Sequence, residues 1–280
     1  MTTTPLLSTA RTALFAPASR PDRVLKAQSS GAQVVIVDLE DAVALQDKSQ
    51  ARENLAELLT GNSEVGALSA PVGVRVNSPR TQAGSEDLRM LAGIGDLGLL
   101  DAVVVPKLEE PSQIRAVRST LPQIQGIVGT IESAAGLLRL EDLAAEDGLI
   151  RFATGTLDLA QDLGCTLDSR TMDAARARLV TVSRALGLAG PLDSPTPQFR
   201  DLRPVQVAAR LAKEDGFTGK ACIHPDQVPA VTQAFEPTAD EIEWARSVIH
   251  AEDGATSVDG SMVEAPVVAR ARAILDHGQD

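Results

Sequence analysis

"VVIVDLEDAV", residues Val34–Val43, decides how the rest of the chain is read. Val34 to Val37 are apolar without a break, so this strand has no polar face. Strands covered on both sides, as in parallel sheets flanked by helices, have that character. The run ends in Asp38, and Glu40 and Asp41 follow. Carboxylates after a strand have a plain explanation, because the next helix needs an N-cap and an acidic first turn. They have a second one if other strands also end in polar groups on the same rim.

The same unit recurs outward from this stretch. "TALFAP" (12–17) precedes a helix opening near Pro21, and "VVIVDLE" (34–40) precedes one near 48–59. "PVGVRVN" (71–77) leads to a helix near 84–93, and "AVVVPK" (102–107) to one opening at Pro111. "GIVGTIE" (126–132) leads to a helix over 133–141. "LIRFATG" (149–155) leads through "TLDLAQDLG" to a long helix near 170–187. "GKACIHP" (219–225) precedes another helix. A seventh strand is expected near "GPLDSPTP" (190–197), where the signal is weak but a helix from Pro204 to about 215 supports it. Eight such units predict an α/β chain closed into a (β/α)8 TIM barrel, with an open doubly wound sheet as the alternative. After residue 237 the pattern becomes two helices, "PTADEIEWARSVIHA" and "EAPVVARARAILDHG", with no strand between them. The expected division is a barrel over 1–237 and a C-terminal helical extension over 238–280, a lid or subunit contact, in one structural domain overall.

Composition narrows the function. The 280 residues are 44% apolar, yet no stretch approaches the roughly 20 apolar residues of a membrane span. The N-terminus has neither the charged region nor the long apolar region of a signal peptide. A net charge of −12 argues against a nucleic-acid partner but leaves room for a local cluster that binds a small anion. Cys165 and Cys222 stand in no metal-ligand spacing and fit a reducing, cytoplasmic setting. Aromatic residues are 2% and tyrosine is absent, which removes stacking platforms for bases and sugars. "GIGDLG" (93–98) matches G-x-G-x-x-G but follows a helix and precedes a strand, the reverse of a dinucleotide site.

The strand ends carry the chemistry. They supply Asp38, Glu40 and Asp41, then Arg75 and Asn77, Lys107 and Glu109, Glu132, Gly155 with Asp158, and His224. In a parallel barrel all of these meet at one rim, where barrel active sites lie. Glu132 and Asp158, on neighbouring strand ends without His or Cys nearby, suit Mg2+ through oxygen alone. Arg75 offers a bidentate fork for a carboxylate or an enolate oxygen. Lys107 adds positive charge or serves as a paired rim lysine. His224 reads as a hydrogen-bonded residue of the barrel end, and no G-x-S-x-G elbow accompanies it. Asp38, Glu40 and Asp41 are read as orienting the cationic groups or metal-bound waters, with direct ligation by Asp38 as the alternative.

Seven segments then occur in a telling order: "LFAPASRPDRVLKAQSSGAQVVIVDLEDAV", "VRVNSPRT", "VVVPKLE", "TIESAAGL", "ATGTLDLAQDLG", "GKACIHPDQV" and "DGSMVEAP". Together they resemble the citrate lyase β-subunit-like branch of the HpcH/HpaI aldolase family, over about residues 11 to 277. The resemblance implies a Mg2+-dependent barrel, a homotrimer or a multiple of one, that cleaves or forms the C–C bond between an acyl thioester and a 2-oxo acid. Citryl, malyl and citramalyl thioesters are the substrates it suggests, on CoA or an acyl carrier. It implies Glu132 and Asp158 as metal ligands and Arg75 as the catalytic group that steadies the thioester enolate. It places the oxo-acid carboxylate on the amides from Gly155 to Leu159. Arg20, Arg23 and Lys26 become candidates for the carrier's phosphates, or a solvated helix start. The catalytic aspartate of the family's C-terminal segment, supplied across a subunit boundary, aligns with Glu264, one methylene longer; Asp259, five residues earlier, reads as a substitute or as a loop residue. Two further readings remain: a β subunit active only within a multi-subunit citrate lyase, and a barrel that binds Mg2+ and an oxo acid without turnover.

Overall fold

The computed structural model describes residues 4–95, 97–252, 257–258 and 261–277. Eight parallel strands pair in chain order, and the eighth closes on the first. They are β1 (Thr12–Pro17), β2 (Val34–Asp38), β3 (Val72–Arg75), β4 (Leu100–Val105), β5 (Ile127–Ile131), β6 (Leu149–Thr154), β7 (Ala189–Asp193) and β8 (Gly219–Cys222). Closure leaves no sheet edge, so the open doubly wound alternative is excluded. The sequence "AGPLD" of β7 contains a glycine and a proline, which weaken strand propensity. Its neighbours hold it in place, with Ala189 in register with Arg151 and Leu192 with Gly219.

Inside the barrel, small and branched residues alternate to fill the space. Ala13, Ile36, Ala102, Val104, Val128, Ala153, Leu192 and Ala221 form one buried cluster. The N-terminal end is plugged by a single turn, α1 (Leu6–Thr9), whose Leu7 belongs to that cluster. Asp101 accepts hydrogen bonds from the amides of Leu6 (2.6 Å) and Leu7 (2.9 Å), fixing the start of that turn. Gly73 leaves the room Leu7 needs, since a Cβ there would lie 2.6 Å from Leu7 Cδ1.

The outer layer comprises α2 (Pro21–Gln28), α3 (Lys48–Thr60), α4 (Gln82–Ala92), α5 (Pro111–Thr120), α6 (Ala134–Leu138), α7 (Leu140–Ala144), α8 (Thr156–Leu163), α9 (Arg170–Ala185) and α10 (Arg203–Glu214). Side-chain oxygens cap three of them: Thr81 accepts from Gly84, Ser133 from Gly136 and Ser169 from Met172. The single helix expected over 133–141 divides at Arg139 into α6 and α7. Gly93 ends α4 ahead of β4, as the reversed context of "GIGDLG" requires.

Two compact units make up the chain, Met1–Val231 and Thr232–Asp280, against the expected boundary at 237–238. Helix α11 (Gln227–Phe235) runs across the division. In the second unit α12 (Ala239–Glu252) packs on α13 (Ala265–His277) through Ala245, Val248, Val268 and Ala271. An antiparallel pair, β9 (Ser257–Val258) with β10 (Ser261–Met262), lies between these helices in the chain, which corrects the strand-free expectation. Strands of two residues are too short to show a period of two. Among the described residues no helix is long and apolar enough to cross a membrane.

Candidate active site

Of the carboxylates that end β2, Asp38 and Glu40 are buried and Asp41 is exposed. Asp38 is fully buried and accepts four hydrogen bonds. Two come from the amides of Glu40 and Ala42, at 2.9 Å each. Two come from Arg75 at the end of β3, Nε to Oδ1 at 2.7 Å and Nη2 to Oδ2 at 2.6 Å. The register of the barrel puts the pair side by side, since Asp38 and Arg75 are Cα partners. The bidentate fork expected for a ligand is therefore committed to Asp38, and Asp38 itself has no capacity left to ligate a metal. Arg75 Nη1 lies 3.3 Å from Glu40 and 3.9 Å from Asp41, with the guanidinium 4.7 Å above the Phe15 ring. Burial works against the Arg75 charge, but the Asp38 hydrogen bonds and the flanking carboxylates outweigh it and keep the group protonated.

Two further residues hold this segment, Lys48, which no motif marks, and Asn77 of the β3 strand end. Lys48 Nζ donates to the carbonyls of Leu39 and Glu40, at 2.7 Å each. Asn77 donates to the Leu39 carbonyl at 2.9 Å and to Asp87 at 2.7 Å. A lysine in the next helix gives no local signal of such a role, whereas Asn77 is marked only as a polar strand end.

Lys107 joins this cluster to the next. Its ammonium pairs with Glu40 Oε1 and lies 3.7 Å from Asp41. Its backbone amide donates to Glu132 Oε2 at 2.9 Å. Glu132, buried at the end of β5, lies against Gly155, where a Cβ would come within 2.3 Å of Glu132 Cγ. The glycine after β6 thus makes room for this carboxylate. Burial first, then the charge of Glu40, pushes Glu132 up to about 7, with Asp158 adding to the rise and Lys107 opposing it.

Glu132 and Asp158 line the same open cavity of about 800 Å3. Asp41, Glu109, Asp162 and Lys107 share its wall, so five carboxylates surround one ammonium. A carboxyl raised by burial and neighbouring negative charge, at the wall of a cavity, marks a candidate functional site. Among the described residues no group of three or more His, Cys, Asp and Glu side chains suits a metal. Two carboxylates with water completing the shell is what a hard divalent cation such as Mg2+ accepts.

The remaining expected residues divide. Arg23 and Lys26 line a separate cavity of about 510 Å3 with Phe15, Phe199 and His224. The His224 ring stacks on Phe199 with centroids 5.1 Å apart. Arg20 is tied in an exposed bidentate pair to Asp22, at 2.9 Å for both bonds. The amide of Gly155 already donates to the Ile131 carbonyl (3.0 Å) and that of Leu159 to the Gly155 carbonyl (2.9 Å). Thr156 donates to Ser194 Oγ at 2.7 Å, which leaves the amides of Leu157 and Asp158 at the open first turn of α8. Of the amides expected to meet a carboxylate, from Gly155 to Leu159, those two are the ones, among the described residues, without an acceptor in the turn. Glu264 is exposed and immediately precedes α13 in the second unit. Asp259 lies outside the described residues.

Comparison with known proteins gives the family. The family described as HpcH/HpaI aldolase/citrate lyase matches residues 11–225. The chain belongs to the HpcH/HpaI aldolase/citrate lyase family. A second description, C–C bond lyase of the TIM-barrel fold, matches residues 205–279 of this family member. The chain is 33% identical to a citrate lyase subunit beta-like protein of Mycobacterium tuberculosis, over 94% of this chain and 93% of that one. It is 32% identical to a (3S)-malyl-CoA thioesterase of Cereibacter sphaeroides, over 95% and 93%. Its fold is similar to that of the CitE protein of M. tuberculosis solved with magnesium, acetoacetate and coenzyme A. That likeness has a TM-score of 0.83 at 30% identity and covers 98% of this chain and 99% of the other.

Proposed function

We propose that this barrel is a Mg2+-dependent carbon–carbon lyase acting on a 3-hydroxyacyl thioester of the malyl, citramalyl or citryl type, releasing an acetyl-type thioester and a 2-oxo acid. The observation that carries the reading is the placement of Glu132 and Asp158 on one cation-poor cavity, one charged lysine away from Arg75. Glu132 and Asp158 would hold the metal. Bound there, Mg2+ supplies the positive charge that polarises the oxygens of the oxo-acid half. The first-turn amides of α8 are suited to that half's carboxylate.

Arg75 lies between the two cavities, over Phe15 of the basic one and beside Asp41 of the acidic one. That position suits the thioester carbonyl, with the carrier's phosphates near Arg23 and Lys26. Loss of the hydroxyl proton and cleavage of the C–C bond leave negative charge on the thioester enolate oxygen. Arg75, kept charged and anchored by Asp38, is fixed in advance for that oxygen. A proton returned to the enolate carbon completes the acetyl group. Glu264 is the candidate donor, across a subunit boundary of the homotrimer that the family resemblance supports. Two free cysteines, Cys222 buried and raised to about 12 by that burial, are consistent with a reducing cytoplasm.

Product analysis tests the reading and separates it from hydrolysis of the thioester. Incubated with Mg2+ and (3S)-malyl-CoA or citramalyl-CoA, the protein is expected to yield acetyl-CoA with glyoxylate or pyruvate. Free CoA with malate or citramalate would mean thioester hydrolysis instead. Binding without either product would leave a barrel that holds ligands only.

A further inference from the structure

Lys107 is the one non-glycine residue with a positive φ, +50°, among the described residues. Side chains avoid that region because Cβ crowds the backbone. The conformation turns the chain at the end of β4 so that Lys107 N–H meets Glu132 while its side chain reaches Glu40. Something must hold a lysine there, and two neighbours do so. Leu108, fully buried, donates its amide to Thr130 at 3.0 Å, and its side chain fills the space left by Gly129. Gln113, at the third position of α5 and 1% exposed, uses both ends of its amide. Its Oε1 accepts from the amides of Glu109 (2.9 Å) and Glu110 (3.0 Å). Its Nε2 donates to the Lys107 carbonyl (3.1 Å) and to Ser78 Oγ (3.3 Å).

We propose that Gln113 is a positioning residue for the metal site: it clamps the Lys107–Glu110 turn in its left-handed conformation and so sets the carboxylate of Glu132. This inference rests on Glu132 being a metal ligand, as proposed above. Gln113 lines neither the acidic nor the basic cavity, and its influence on the metal passes through the Lys107 main chain.

Titration of Mg2+ into the metal-free protein, followed by calorimetry, tests it without reference to turnover. Removing a group that orients a ligand weakens metal binding by about 10- to 100-fold. Gln113→Leu is therefore expected to raise the Mg2+ Kd at least about tenfold. Glycine accepts a positive φ without steric strain, so a turn with Gly at 107 depends less on the clamp. In a Lys107→Gly background, Gln113→Leu should then change the Kd by less than about threefold. That rescue is a signature a purely structural role would not produce. Unchanged binding in Gln113→Leu overturns the proposal, as does a defect of equal size in both backgrounds. Should Gln113→Leu alone fail to fold, the double variant must restore folding and binding together, and its failure to do so also overturns it. A wild-type protein that binds no Mg2+ overturns instead the assignment of Glu132 and Asp158.

Discussion

The barrel holds an arginine at each end, one buried and one half-buried, and the two are surrounded in opposite ways. Arg151, on β6 at the closed end, is wholly inaccessible and donates only to neutral oxygens. These are the carbonyls of Gly190 (2.7 Å), Leu7 (3.0 Å) and Ala10 (2.8 Å) and the hydroxyl of Thr218 (2.9 Å). With burial as the sole cause, its pKa is brought down to about 9. Arg75, at the open end, has three carboxylates within 3.9 Å and is held above its ordinary value. One guanidinium is a staple that fastens the N-terminal turn to the barrel floor through hydrogen-bond geometry. The other is a fixed positive charge at the edge of a cation-poor cavity.

If that contrast is right, damage to the open end should cost turnover and damage to the closed end should cost stability. The largest effect is expected from Glu132→Gln. Turnover with Mg2+ should fall by about 100- to 1000-fold, the scale of losing a group needed for charge stabilisation. Stability should move the other way. A carboxyl raised from 4.5 to about 7 on folding contributes stability that is fully present below about pH 4.5 and lost as the pH rises through 7. The metal-free wild type should lose up to about 3 kcal/mol over that window through this residue. Glu132→Gln should not, and above pH 7 it should melt at a higher temperature than metal-free wild type. Added Mg2+ should raise the wild-type melting temperature there and leave the variant unchanged. A variant that still melts later with Mg2+ would remove Glu132 from the metal site.

Arg151→Met is the converse experiment. It removes four hydrogen bonds, leaves three carbonyls poorly paired and frees α1, so a loss of about 2–4 kcal/mol is expected by denaturant titration. The rate per folded molecule should stay within about twofold of wild type. A large fall in kcat at full folding would show that the closed end also shapes the site.

These two ends were unequally legible in the sequence. Polar residues closing apolar strands marked the open rim, because parallel strands bring every C-terminal end to one face. Glu132, Asp158, Asp38 and Arg75 were found that way. Arg151 carries no such mark: it sits mid-strand in "LIRFATG", and nothing local says that its partners are carbonyls near the first turn and on β7 and the hydroxyl of Thr218. Which of Arg75's nitrogens are committed was equally hidden, since the Asp38 pairing depends on strand register across 37 residues. The same holds for the Gly155 and Leu159 amides, whose acceptors follow from the turn into α8. The weak signal at β7 has a simpler cause, in that glycine and proline carry no apolar pattern to read.

Asp38→Asn separates anchoring from charge at the open end. The amide keeps the volume but can accept on one oxygen only, so one arm of the Arg75 fork is lost. A fall in kcat of about 10- to 100-fold is expected, with Mg2+ affinity changed far less, because Asp38 orients Arg75 and not the metal. A loss of metal binding equal to the loss of rate would place Asp38 nearer the cation than its four hydrogen bonds allow.

The smallest effects belong to the basic residues of α2, and they divide along the structure and not along the sequence. Arg20, Arg23 and Lys26 share one helix start, yet only Arg23 and Lys26 face the cavity with His224 and Phe199. Arg20 is exposed and already paired with Asp22. Exposed charges near a phosphate contribute about 1 kcal/mol or less each, and less at higher salt. Arg23→Ala and Lys26→Ala should each raise KM for a CoA thioester about three- to sixfold at low ionic strength, with kcat nearly unchanged. The increase should shrink on adding salt, whereas Arg20→Ala should shift KM by less than about twofold at any salt. Equal effects from all three residues would mean that the carrier spreads along the helix surface instead of entering the cavity. No effect from Arg23 or Lys26 would separate the thioester tail from this cavity altogether and leave the contrast between the two barrel ends standing on the metal and Arg75 alone.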